Sequence, residues 1–250
     1  MMEQPEIESQ DPTTQDLAEL ANQTYTTSEP KYEELGYTKI NDLSTKDIHT
    51  FHQASKKHYV IAHRGTDLNS QNDKISQMSA DFKILQGKQK ADQLHRSRAK
   101  DTERVIKHIR EKSDEPIHLT GHSLGGSTIQ NTLIKKPYVL DNVKSVHTFN
   151  AGTSPIFKID LDPKSKKYKQ IADKSTHHII KGDLISENAH KSMIGKIKRY
   201  TSKQKPTFTQ RFMKGLQKLS FISPITALAH YAGTKIVNTA QNHSIHNFLL

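Results

Sequence analysis

One hexapeptide, Gly121-His122-Ser123-Leu124-Gly125-Gly126, constrains this chain more than any other feature. Before it runs a short apolar stretch, Ile117 to Thr120, opened by Pro116. After it, Leu124, Ile129, Leu133 and Ile134 recur at helical spacing until Pro137 stops the pattern. A strand can turn into a helix over one serine only if that serine takes a strained backbone conformation. Its neighbours must also be small enough for strand and helix to approach each other. Gly121, Gly125 and Gly126 meet that need around His122 and Ser123. A helix starting at Leu124 aims its first N–H groups at the place where negative charge would form beside the hydroxyl. The spacing therefore predicts a nucleophilic serine on a G-x-S-x-G turn. The competing reading is a glycine-rich connection whose serine is idle.

The surrounding pattern argues for an α/β fold. Asp47 to Gln53 and His58 to Thr66 alternate apolar and polar residues about the turn Ala54-Ser55-Lys56-Lys57, which predicts an antiparallel pair. Residues 91–112 place Leu94, Ala99, Thr102, Val105, Ile106 and Ile109 on one helical stripe. Val143 to Gly152 and His177 to Ser186 read as two further strands. Alternating strands and helices imply a mostly parallel sheet covered by helices. Thr13 or Thr14 is placed to cap a short helix that follows. Residues 1–12 are predicted to be a disordered acidic tail, 13–250 one domain, and 188–240 a helical insertion or cap within it.

A serine hydroxyl needs a base, and the base an orienting acid, in the chain order Ser, Asp or Glu, His for this architecture. Of the six acids after Ser123, only Asp183 directly follows an apolar strand, which puts it at the carboxyl edge of the sheet; Glu187 is the reserve. The candidate bases downstream are His190, His230, His243 and His246. His190 is too close to the acid's own loop, and His230 sits inside an apolar helical run. His243 opens an expected C-terminal helix, "HSIHNFLL", anchored by Ile245, Phe248 and Leu249, and is favoured over His246. The Leu124 N–H qualifies as one oxyanion donor by position. Thr66, in the Arg64-Gly65-Thr66 sequence that ends a strand, is the candidate for the second.

These motifs together resemble the class 3 (fungal-type) lipase family of the α/β-hydrolases. The similarity rests on "YVIAHRGT", "DFKILQG" at 81–87, the letter-for-letter "GHSLGG", "HTFNAGTSP" and "IIKGDLIS", and it extends over residues 32–250. The Ser123-to-Asp183 and Asp183-to-His243 separations, 60 residues each, fit the same pattern. The resemblance implies an α/β-hydrolase fold, a Ser123–Asp183–His243 triad, an oxyanion hole of Thr66 and Leu124, and no cofactor or metal. The chain has neither Trp nor Cys, unlike the secreted members, and so looks closer to the intracellular bacterial- or virus-like branches.

Composition narrows the partners. With no Cys, disulfides and thiolate metal sites are excluded. The first residues lack the basic and apolar regions of a signal peptide, and no run approaches a spanning helix, so an intracellular, soluble or peripheral membrane protein is expected. The net charge of +11 is uneven: no Lys or Arg precedes residue 31, and ten follow Glu187 with no further acid. Such a one-signed half attracts polyanions.

Phe208, Phe212, Met213, Leu216, Leu219 and Ile222 fall near one helical face, with Arg211, Lys214 and Lys218 around it. That pattern suits an anionic membrane surface, or a helix packed on the sheet. Residues 67–80 are the other candidate lid. The expected reaction is hydrolysis of an acyl-lipid ester (triacylglycerol or phospholipid) through an acyl-enzyme. Transfer of the acyl group by the same triad is one alternative. A basic membrane- or nucleic-acid-binding protein with an inactive hydrolase fold is another, although no nucleic-acid motif is present.

Overall fold

The computed structural model describes residues 11–25, 30–65, 88–151, 161–181, 183, 186, 193–202 and 244–249, with 88–94 in backbone only. The chain enters through α1 (Thr14–Asn22), whose start is a capping box: Asp16 N–H donates to Thr13 Oγ1 and Thr13 N–H to the Asp16 carboxylate. The two residues before the cap are already packed: Asp11 accepts from Lys144 Nζ at 2.7 Å and Pro12 is buried, while the rest of the expected disordered stretch 1–12 lies outside the described residues. A short α2 (Lys31–Glu34) leads to β1 (Thr38–Lys39), a 3₁₀ turn at Asn41–Leu43, β2 (Ile48–Gln53) and β3 (His58–His63). The last two form the predicted antiparallel hairpin, with Phe51 opposite Val60.

From β3 onward every pairing is parallel. The connections run α3 (Lys88–Arg110), β4 (Ile117–His122), α4 (Leu124–Lys135), α5 (Pro137–Asn142), β5 (Ser145–Phe149), α6 (Lys166–Lys174), β6 (Ser175–Ile180) and β7 (Lys196–Tyr200). Among the described residues the sheet has seven strands in the order 1-2-3-4-5-6-7. Because this order advances in one direction, right-handed crossovers must put their helices on one face. Val105, Ile106 and Ile109 of α3, Ile129 and Leu133 of α4, Val139 and Leu140 of α5, and Ile171 of α6 do share one core with Ile61, Ile117, Leu119 and Val146. Strand alternation turns Phe51, Val60, Ala62, Phe149 and Ile180 to the other face. Among the described residues that face is covered by Leu17 and Leu20 of α1, by Tyr37 before β1, and by Ile245 and Phe248 of a C-terminal 3₁₀ turn (Ile245–Phe248). Thr120, in the middle of β4, donates its hydroxyl to the Leu17 carbonyl at 2.9 Å and ties α1 to the central strand.

Two elements differ from the sequence reading. β7 lies inside the segment expected to be a helical insertion. It is an edge strand whose residues Lys196, Lys198, Arg199 and Tyr200 are exposed, so it carries none of the burial alternation that marks a strand. The C-terminal segment is a single 3₁₀ turn where a longer helix was expected, although its apolar anchors pack as expected. Among the described residues no helix is long and apolar enough to cross a membrane.

Candidate functional site

β4 runs into α4 through one residue. Ser123 has φ 53° and ψ −124°, a left-handed conformation that an L-residue with a side chain rarely adopts. Such strain costs on the order of 1–3 kcal/mol and persists only where its surroundings enforce it. Here they do. The Ser123 N–H donates to the Phe149 carbonyl at 3.0 Å, and its own carbonyl accepts from Ser127 N–H at 3.2 Å. The glycines are required by space. A Cβ at Gly121 would lie 2.8 Å from the Gly125 carbonyl carbon, and one at Gly126 2.6 Å from Ala151 Cβ. A Cβ at Gly125 would overlap the His63 carbonyl at the end of β3. The helix therefore starts hard against the sheet, with Leu124 at its first position and Leu124 itself nearly buried.

The turn that leaves β3 closes the other side. A Cβ at Gly65 would meet the Tyr25 hydroxyl, the His122 carbonyl at 2.6 Å and Ser123 Cβ at 3.3 Å. The Arg64–Gly65 backbone thus passes directly beside the serine. Thr66, the next residue and the expected second oxyanion donor, lies outside the described residues. The Tyr25 hydroxyl is also 3.0 Å from His122 Nδ1.

Asp183 follows β6, two strands from β4, at the same carboxyl edge of the sheet. It is fully buried. A buried carboxylate needs donors, and Ser186 supplies two, its hydroxyl at 2.6 Å and its N–H at 3.3 Å. Asn150, also in a left-handed conformation (φ 43°), fastens the intervening strand ends. Its N–H donates to the His178 carbonyl at 2.8 Å and its Oδ1 accepts from Ile180 N–H at 2.9 Å. Neither Ser186 nor Asn150 was given a role by the sequence reading, although both sit in the quoted motifs "IIKGDLIS" and "HTFNAGTSP".

The C-terminal 3₁₀ turn reaches this edge as well. Phe248 packs edge-on against Phe149 at 5.0 Å, and Asn247 Oδ1 accepts from Ser202 Oγ at 2.7 Å. Within the turn His246 is exposed, which weighs against it as a base serving a serine at the sheet edge. His243, the favoured base, lies outside the described residues, as do Glu187, residues 67–80, and Phe208, Phe212, Lys214, Leu216 and Lys218. Among the described residues no group of three His, Asp or Glu side chains is arranged to hold a metal ion.

A strained serine between a central parallel strand and a helix, with a buried carboxylate two strands away, thus lies at the carboxyl edge of the mostly parallel sheet of an α/β protein. A family model described as Mbeg1-like matches residues 38–199, which run from β1 through β7 and include Ser123 and Asp183. The chain belongs to the Mbeg1-like family. No curated protein matches it.

Proposed function

We propose that the chain is a serine carboxylester hydrolase with an α/β-hydrolase fold, related to the class 3 lipases and acting on acyl lipids. The observation that carries this reading is the Ser123 backbone, held at φ 53° by packed glycines where nothing in the fold alone requires a serine. Strain concentrated on a nucleophile-type side chain at a helix N-terminus is the mark of a reacting group. In this reading Ser123 Oγ attacks the ester carbonyl carbon as its proton passes to His243, which Asp183 orients. The tetrahedral oxyanion is met by the Leu124 N–H and by Thr66. Collapse expels the alcohol, which takes the proton back from His243, and water then releases the acyl group by the reverse sequence.

The lipid part of the proposal is supported by charge. Exposed Lys196, Lys198, Arg199 and Tyr200 line the edge strand β7, whose last residue pairs with Ile180, three residues before Asp183. A basic rim with an aromatic residue beside the site suits an anionic lipid surface. The test is ester hydrolysis by wild type and Ser123→Ala, first on p-nitrophenyl esters of several chain lengths and then on anionic and neutral phospholipid vesicles. Activity that survives in Ser123→Ala would sink the assignment. Equal rates on both kinds of vesicle would sink the charge argument alone.

A further inference from the structure

The Arg64–Gly65 turn is gripped from both faces of the sheet. On the α1 face, Tyr25 follows the end of α1. Its ring lies under the Arg64 guanidinium at 5.9 Å, and its hydroxyl reaches His122 Nδ1 and fills the space beside Gly65. One phenol therefore touches both walls that flank Ser123. On the opposite face, Arg98 of α3 is only 4% exposed, and its guanidinium donates to the Arg64 carbonyl at 2.5 Å and to Asp47 Oδ1 at 3.1 Å. Asp47 completes the loop, since its carbonyl accepts from the Arg64 N–H at 2.9 Å.

One helical turn on, Thr102 donates its hydroxyl to the Arg98 carbonyl at 2.7 Å. Its oxygen must then accept from His63 Nε2–H at 3.1 Å, which fixes that imidazole's tautomer. So α3 holds two successive residues at the end of β3. Burying a guanidinium is a poor way to gain stability, because an apolar side chain of similar volume does as well. A buried arginine with a fixed fork is, however, a good way to hold a backbone carbonyl in one place.

We propose that Tyr25 and Arg98 are positioning residues that together set the gap between the Arg64–Gly65 turn and Ser123. The proposal rests on the hydrolase reading of Ser123. In that reading the turn presents the next residue's donors to the oxyanion, and a displacement of about 1 Å costs on the order of 100-fold in rate. Arg98 lies within the family match, whereas Tyr25, just after α1, lies outside it.

The experiment compares wild type with Tyr25→Phe, Arg98→Met, Arg98→Lys and the double variant Tyr25→Phe/Arg98→Met. Each is measured for its rate of covalent labelling by a fluorophosphonate, its kcat and KM on p-nitrophenyl butyrate, and its Tm. Labelling rate and kcat are expected to fall together by about 10- to 100-fold in each single variant, with KM within about two-fold. Arg98→Lys, which can still donate to one of the two acceptors, recovers part of the loss. The double variant falls by less than the product of the singles, because both residues hold one turn. A lowered Tm with wild-type labelling rate and kcat would reduce both residues to structural ones and overturn the proposal. Should Arg98→Met fail to fold, Tyr25→Phe and Arg98→Lys decide the matter. Wild type that is not labelled at Ser123 would overturn the hydrolase reading and this proposal with it; labelled wild type with unaffected variants would overturn this proposal only.

Discussion

Acid should unfold this protein well above the pH at which its carboxylates titrate, because the fold buries imidazoles as neutral groups. His63, under α3, is pushed down to about 3 by burial, then by Arg98 and His95. On the α1 face, His118 is held at about 4 by burial, against the opposing pull of Asp11 and with smaller effects from His58, Lys144 and His147. Beside it His147 lies at about 4, through burial and then Lys198 and His177 against the pull of Asp11, and His178 at about 3, through burial and then His147, Lys198 and His177. His147 and His178 are stacked at 5.3 Å and joined by a 3.1 Å hydrogen bond, with His178 also sandwiched against Phe149 at 4.8 Å.

The sign is set by where protons bind. In the unfolded chain these groups titrate near 6.5, so below that pH it is the unfolded state that takes protons, and stability rises with pH. The contribution is fully present above pH 6.5 and is lost as pH falls toward 4 to 3. At pH 5.5 each such histidine removes on the order of 1 kcal/mol. Four of them, discounted for the His147–His178 coupling, remove a few kcal/mol, a large share of a whole domain's stability. Urea unfolding followed by circular dichroism from pH 7.5 to 5 should show a steep loss, with about three protons taken up on unfolding at pH 5.5. His178→Phe, which fits between two aromatic rings, should flatten that slope by about one proton. A urea midpoint unchanged between pH 7.5 and 5.5 would refute the argument.

Three substitutions address the site. Ser123→Gly should abolish esterase activity yet raise stability by about 1 kcal/mol in thermal melts, since glycine relieves the left-handed strain at φ 53°; an unchanged or lowered Tm would mean that the backbone is not strained. Gly126→Ala should cost roughly 1–3 kcal/mol and most of the activity, because its methyl would lie 2.6 Å from Ala151 Cβ and 2.9 Å from Thr148 Cβ. Asp183→Asn keeps a side chain that can accept from Ser186, so the fold should survive while kcat falls by roughly 10⁴; a loss under ten-fold would remove Asp183 from the triad.

Much of this was legible locally. The elbow could be read because glycine spacing, apolar strand and helical period all fall within twenty residues of Ser123, and the β2–β3 hairpin because its alternation is uninterrupted. The capping box at Thr13 is likewise a four-residue signal. β7 escaped because Lys196, Lys198 and Arg199 face solvent at a sheet edge, where no apolar period is needed. α6 escaped for a related reason: it is rich in lysine and buries only Ile171. Tyr25 and Arg98 left no local trace, since Tyr25 meets His122 across 97 residues and Arg98 meets Arg64 across 34. No spacing rule encodes contacts of that range. The long-range geometry appears only once α1 and α3 close on opposite faces of one strand end.

The central claim is that Ser123 is an activated nucleophile served by His243. Peptide mass spectrometry after treatment with a fluorophosphonate tests it in one measurement, on wild type, Ser123→Ala, His243→Ala and His246→Ala. The adduct is expected on Ser123 in wild type and in His246→Ala, and absent from Ser123→Ala and His243→Ala. An unmodified Ser123 in the wild type, or an adduct that persists in His243→Ala and disappears in His246→Ala, would contradict the claim.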